Sequence, residues 1–201
     1  VRLYHGTSAA VGVVARARGL SPRRDVGRQN WAHTSPSHPR AVYLTDAYPL
    51  YFAVQAANNC RSPQTHVAVV EVEADRLPKL VPDEDVLEQV GRGQDDLPAG
   101  WTMRQRTVWY RNRLDDHAGR GTWEKSLEAM GTCAHLGAVP PEAITRVALV
   151  NLSEGAALLF EGMQPAICLA NYKWCGEDYR KLTASIWDPY QPGVTILENR
   201  K

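Results

Sequence analysis

Hydrophobic and polar positions change period several times along the chain, and each change predicts an element. Arg2, Leu3 and Tyr4 form a short strand-like run. Ala10, Val13, Val14 and Ala17 then recur at the spacing of one apolar helix face. The pattern predicts a strand, a polar corner over residues 5–8, and a helix. Ser8 stands where a helix N-cap would stand, and Gly19 follows the last periodic residue.

Residues 21–40 lose apolar periodicity and fill with Pro, Ser, Arg and His, which predicts a long irregular loop. A strand over 40–45 follows, then a helix over 46–58 carrying Ala47, Leu50, Tyr51, Val54 and Ala57, with Asp46 as its cap. Residues 66–73 alternate and are rich in Val, as a half-buried strand requires. Asp83-Glu84-Asp85 reads as a solvated acidic turn before one or two helical turns over 86–90. After a loop over 91–100, residues 101–114 interleave aromatic and basic side chains. A helix over 122–130, a strand over 132–136, a turn at Pro140-Pro141 and a strand over 145–151 come next, with apolar runs at 156–160 and 166–170. Five to seven short strands with helices clustered early predict an α+β domain with a split, mixed or antiparallel sheet. It spans 1–201 as one domain, with 91–121 as a candidate target-recognition insertion.

Composition changes this picture little. With 44% hydrophobic and 22% charged residues the chain has the balance of an ordinary folded domain, not of a disordered one. A formal charge of +1 exerts no global pull on nucleic acid, so any such binding must come from a local patch. Four cysteines without a C-x-x-C pair argue against a zinc knuckle; no metal is expected, and reduced thiols favour the cytoplasm. No apolar run is long enough to span a bilayer, so no membrane partner is expected. Neither G-x-G-x-x-G nor G-x-x-x-x-G-K-[ST] occurs, which argues against the nucleotide sites those loops build.

Two segments carry candidate chemistry. Tyr4-His5-Gly6-Thr7-Ser8 combines an imidazole, a glycine that lets a flat ligand approach the main chain, and two hydroxyls. Val42-Tyr43-Leu44-Thr45 is followed eight residues after Tyr43 by Tyr51, and two such rings suit a flat, positively charged ligand. His135 lies two residues from Cys133, on the same face by alternation, but without a third orienting group the pair reads as structural.

In content and order, these segments resemble the His-Tyr branch of the ADP-ribosyltransferase superfamily, including bacterial toxin-type enzymes and RNA 2′-phosphotransferases. The resemblance runs from Leu3 to about Val150 and implies NAD+ as substrate. It places His5 on a ribose hydroxyl, the Gly6 main chain on the nicotinamide amide, and Thr7 and Ser8 in support of that corner. Tyr43 and Tyr51 would flank the nicotinamide, with Thr45 and Thr132 also in the NAD+ site. Arg24 and Arg28, with Arg23, would hold a pyrophosphate or an RNA phosphate. Many family members carry a catalytic glutamate near the position of Thr132 or Cys133. This chain has none there, and Glu128, one helical turn earlier, is the nearest acid. His5, Tyr51 and Glu128 are therefore the expected catalytic set.

The resemblance implies transfer of ADP-ribose to a macromolecule, with DNA or RNA ahead of protein. Trp101, Arg104, Arg106, Trp109 and Arg111 would contact that target. An NAD+-dependent RNA 2′-phosphotransferase and a catalytically silent NAD+ or ADP-ribose binding module are the competing readings. A toxin acting in its own or a target cytoplasm, with a cognate antitoxin or immunity protein, is the expected setting.

Overall fold

The computed structural model describes residues 1–22, 25, 37–90, 97–165 and 177–198. In chain order the elements are β1 (Arg2–Ser8), α1 (Ala9–Arg18), β2 (Ala41–Thr45), α2 (Pro49–Asn58), β3 (His66–Glu73), β4 (Leu80–Pro82) and α3 (Glu84–Val90). There follow α4 (Met103–Arg111), α5 (Thr122–Met130), β5 (Thr132–Leu136), β6 (Ile144–Asn151), α6 (Ala156–Met163), α7 (Glu177–Ser185) and β7 (Val194–Glu198). The fold is α+β. Its strands form one sheet in the order β4-β5-β2-β1-β3-β6-β7, and every neighbouring pair is antiparallel.

The expected split is present as an uneven seam. β1 registers with β3 from Arg2↔Glu73 to Ser8↔Val67, but with β2 only at Tyr4↔Thr45. A three-stranded half and a four-stranded half are thus joined at one residue pair. On one face, α1 and α5 cover a core of Leu3, Val42, Leu44, Val70 and Cys133. On the other, α2 and α6 cover Val67, Val69, Ala148 and Val150. The only charge buried within this sheet core among the described residues, Glu71, is held by a two-armed bond from Arg146 at 3.0 and 2.8 Å and by the Thr145 hydroxyl.

Several expectations are corrected. Residues 5–8 are not a corner: β3 offers a paired partner as far as Val67, so the strand continues to Ser8 and α1 starts directly after it. Helix α1 forms as the period predicts, but its apolar stripe faces outward, with Val11, Val13 and Val14 46%, 47% and 49% exposed. The buried side is Gly12 and Ala15, because α1 lies so close to β3 that a Cβ on Gly12 would meet the Ala68 Cβ at 2.3 Å. Ser8 occupies the N-cap position without a side-chain cap bond.

Helix α2 begins at Pro49 and not at Asp46, a first-turn place suited to proline. The Asp46 carboxylate instead accepts from Arg180 Nε of α7 at 2.8 Å. Strands β4 and β7 and helix α7 had no clear period in the sequence. No helix among the described residues is long and apolar enough to cross a membrane.

Candidate active site

His5 occupies the seam where β1 and β2 part. Its Nδ1 lies 2.9 Å from the Tyr43 carbonyl oxygen, which can only accept, so Nδ1 carries the proton and Nε2 the lone pair. Burial lowers the imidazole pKa from its ordinary value, and the Tyr43 bond opposes this in part. At neutral pH His5 is therefore an uncharged acceptor, suited to a ligand hydroxyl. Thr7 shares its face of the strand by alternation and is 7% exposed.

Gly6 has a packing reason independent of any ligand. A Cβ built on it would lie 2.0 Å from the Pro49 carbonyl oxygen and 2.5 Å from the Ala53 nitrogen, both main-chain atoms of α2. Glycine lets this helix sit directly on β1 beside His5.

The two tyrosines of the expected slot lie in separate packed clusters. Tyr43 packs against Ala41, Val81, Leu114 and Ala134, and its hydroxyl donates to Glu84 Oε1 and accepts from the His38 amide at 2.8 Å. Burial and the Glu84 charge push its pKa well above the usual phenol value. Tyr51 belongs to a separate cluster with Ala47 and Tyr48, edge-on to Phe52 at a centroid separation of 5.4 Å. Thr45 is also reassigned, from ligand to fold. Its hydroxyl donates to the Gly131 carbonyl and accepts from the Ala47 and Tyr48 amides at 3.1 and 2.9 Å, which exhausts its bonding capacity at 1% exposure.

The acidic run is solvated only in part: Asp85 is exposed and Asp83 half-buried, but Glu84 is buried, which the sequence pattern did not show. Glu84 is 3% exposed and bonded by Tyr43; Glu88, on the same helix, is fully buried against Arg106 Nε at 2.8 Å. Asp83 leaves β4 beside β5, where its amide donates to Ser126 Oγ at 3.1 Å and its carboxylate caps α3 through the Asp85 amide at 3.0 Å. The Thr132 side chain lies near that carboxylate and in part lowers its pKa. Burial first, and the neighbouring Glu84 charge second, push Asp83 up to about 7. The available signal was the apolar Leu80-Val81-Pro82 directly before the acids and Val86 directly after them.

Glu128 sits on the exposed face of α5, away from Ser126, Leu127 and Met130, which face inward. Glu128→Gln is accordingly expected to change unfolding free energy by less than ~0.5 kcal/mol and to leave any release of nicotinamide from NAD+ at the parent's rate. Urea melts and a nicotinamide-release assay check both halves. Cys133 and His135 share a face as expected, but both are buried, and burial raises the thiol pKa well above its ordinary value. A nucleophilic pair is not built there.

Arg24 and Arg28, with Arg23, lie outside the described residues. In the 101–114 segment, α4 starts at a reciprocal cap in which Thr102 and Gln105 bond each other's main chain, and it buries Thr107 and Tyr110. Arg106 is not free for a target: its guanidinium is committed to Glu88 and to the Trp101 carbonyl. Arg104 is exposed, Arg111 is half-exposed at the end of the helix, and Trp101 and Trp109 are half-exposed. Two surface cavities, one along α4 and one by Arg40 and Lys79, have neither His5 nor Tyr51 in their lining. Among the described residues no group of three or more His, Cys, Asp or Glu is placed to hold a metal ion.

No protein-family model and no curated protein matches the chain. Among solved structures it is similar to EcPltA, with 9% identity over 75% of each chain and a TM-score of 0.40, an overlap too loose to assign any residue a role.

Proposed function

We propose that the chain cleaves NAD+ and transfers its ADP-ribose to a macromolecule, nucleic acid ahead of protein. The observation that carries this reading is the neutral His5 in the seam of the sheet, fixed at Nδ1 by the Tyr43 carbonyl, which leaves Nε2 as a hydrogen-bond acceptor. It is joined to the sequence resemblance over residues 3–150. In the reaction the bond between ribose C1′ and the nicotinamide nitrogen breaks, the electron pair leaves with nicotinamide, and the cationic ribose is captured by a nucleophile of the acceptor. His5 accepts from a ribose hydroxyl and orients the sugar. The Gly6 main chain holds the nicotinamide amide, with Thr7 and Ser8 beside it.

A carboxylate is needed to stabilise the ribose cation, and Asp83 supplies it in this reading. Its carboxylate lies beside Thr132, which with Cys133 marks where the resembling family carries its glutamate. Asp83→Asn is expected to lower turnover by about 100-fold, the usual loss when one preorganised electrostatic partner is removed. Because the group is needed ionised and is pushed up to about 7, turnover should rise as pH climbs through that value. The Asn variant should lose this limb, and a limb that survives intact would clear Asp83.

The absence of an acid at Thr132 itself is the observation that favours the second reading, an NAD+-dependent RNA 2′-phosphotransferase. Incubation with labelled NAD+ followed by mass spectrometry of RNA, DNA and protein separates the readings. A gain of ADP-ribose on any pool supports transfer, loss of a 2′-phosphate from RNA supports the second reading, and no release of nicotinamide leaves a silent binding module.

A further inference from the structure

Residues 97–114 contain Arg104, Arg106, Arg111 and Arg113 and no acid, which makes this the local basic patch that the chain's overall charge of +1 does not reveal. The segment folds around a shallow surface cavity of about 380 Å³ lined by Trp101, Arg104, Val108, Trp109 and Arg113. Aromatic and cationic groups alternate along it. Trp109 packs edge-on against Tyr110 at a centroid distance of 4.9 Å and an interplanar angle of 90°. The Arg113 guanidinium carbon lies 4.0 Å from the Trp109 ring centroid, and Arg104 is exposed with no ion pair among the described residues.

We propose that this groove docks a single-stranded nucleic acid, with bases stacked on Trp101 and Trp109 and flanking phosphates neutralised by Arg104 and Arg113. An acidic peptide would satisfy the arginines and leave the two indoles against water, whereas a nucleotide strand offers an apolar π-face and an anion in each unit. The strand is the acceptor of the reaction proposed above, so the inference rests on that reading for its purpose. Its test does not.

The test is fluorescence anisotropy without NAD+, titrating the full chain into a labelled twelve-nucleotide oligothymidine, an abasic strand of equal length, and an oligoglutamate of equal charge. Stacking predicts about tenfold tighter binding of the strand that carries bases than of the abasic one. Trp109→Ala should erase that difference, and Trp109→Phe should retain most of it. Arg104→Glu should weaken both strands and flatten the dependence of affinity on salt. Circular dichroism identifies any variant that fails to fold, in which case the Phe and Glu variants carry the comparison. Equal affinity for the abasic strand, preference for oligoglutamate, or unchanged binding by a folded Trp109→Ala, Arg104→Glu double variant would overturn the proposal. Nicotinamide release with no strand binding removes the groove and leaves the reaction standing; strand binding with no nicotinamide release does the reverse.

Discussion

His5→Ala is expected to reduce NAD+ turnover by about 1000-fold without unfolding the chain. The size follows from two losses in the same step: the acceptor for a ribose hydroxyl disappears, and the sugar is no longer oriented for departure of nicotinamide. Binding alone would weaken by roughly 1 to 3 kcal/mol, so most of the effect should appear in kcat. The fold should survive because Leu3, Tyr4 and Ser8 keep their register with β3 and the lost side-chain bond to Tyr43 is single. Isothermal titration with NAD+, single-turnover kinetics and a urea melt on one preparation check the three statements, and full turnover in the folded variant would sink the proposed reaction.

The same residue makes a prediction in pH. Its imidazole pKa is lowered in the fold, so below the ordinary value of about 6.5 the unfolded chain binds a proton more readily than the folded one. His5 therefore contributes to a loss of stability as pH falls beneath that value, and none above it. Turnover loses the Nε2 acceptor only at the still lower pH where the folded imidazole itself is protonated. The activity limb from Asp83, near 7, should be seen first as pH falls, and it should remain in any His5 variant with measurable residual activity.

Most of what the sequence made legible was periodic. The strands at 66–73, 132–136 and 144–151 and the helix Thr122–Met130 appear almost where alternation and helical spacing place them. Edge strands β4 and β7 were not legible. The first is three residues ending in proline, and the second is only half-buried, so neither writes a clean two-residue period. The buried face of α1 was not legible, because apolar spacing locates a stripe and not the direction it points. At the closest approach of a helix to a sheet small residues win, and Gly12 and Ala15 displaced Val13 and Val14. The burial of Asp83 and Glu84 failed for a related reason. A run of three acids looks solvated until the partners appear, and Tyr43, Ser126 and Thr132 come from 40 to 50 residues away in sequence. His5 was legible as a candidate, but its seam was not, since one residue pair at Tyr4↔Thr45 is a tertiary fact.

Gly6→Ala should cost about 4 kcal/mol of stability or more, a large share of the 5 to 15 kcal/mol that holds an ordinary domain together. The added methyl would stand 2.0 Å from the Pro49 oxygen, 2.5 Å from the Ala53 nitrogen and 3.0 Å from the Phe52 carbonyl carbon. All three are main-chain atoms, so no change of rotamer relieves the contact, and α2 must lift from β1. Lifting it strips Leu50 and Ala53 from Val67 and Val69, which adds lost burial to the clash. For a chain of this length each kcal/mol lowers the melting temperature by roughly 2 to 4 °C, so a drop of about 8 °C or more is expected. Gly100→Ala is the matched control, because a Cβ there meets nothing within 4 Å, and it should stay within ~0.5 kcal/mol of the parent. The comparison also separates the two roles available to Gly6. If its main chain only held a ligand, Gly6→Ala would melt with the parent and show a raised KM for NAD+. If α2 needs the space, the variant melts early whether or not NAD+ is present.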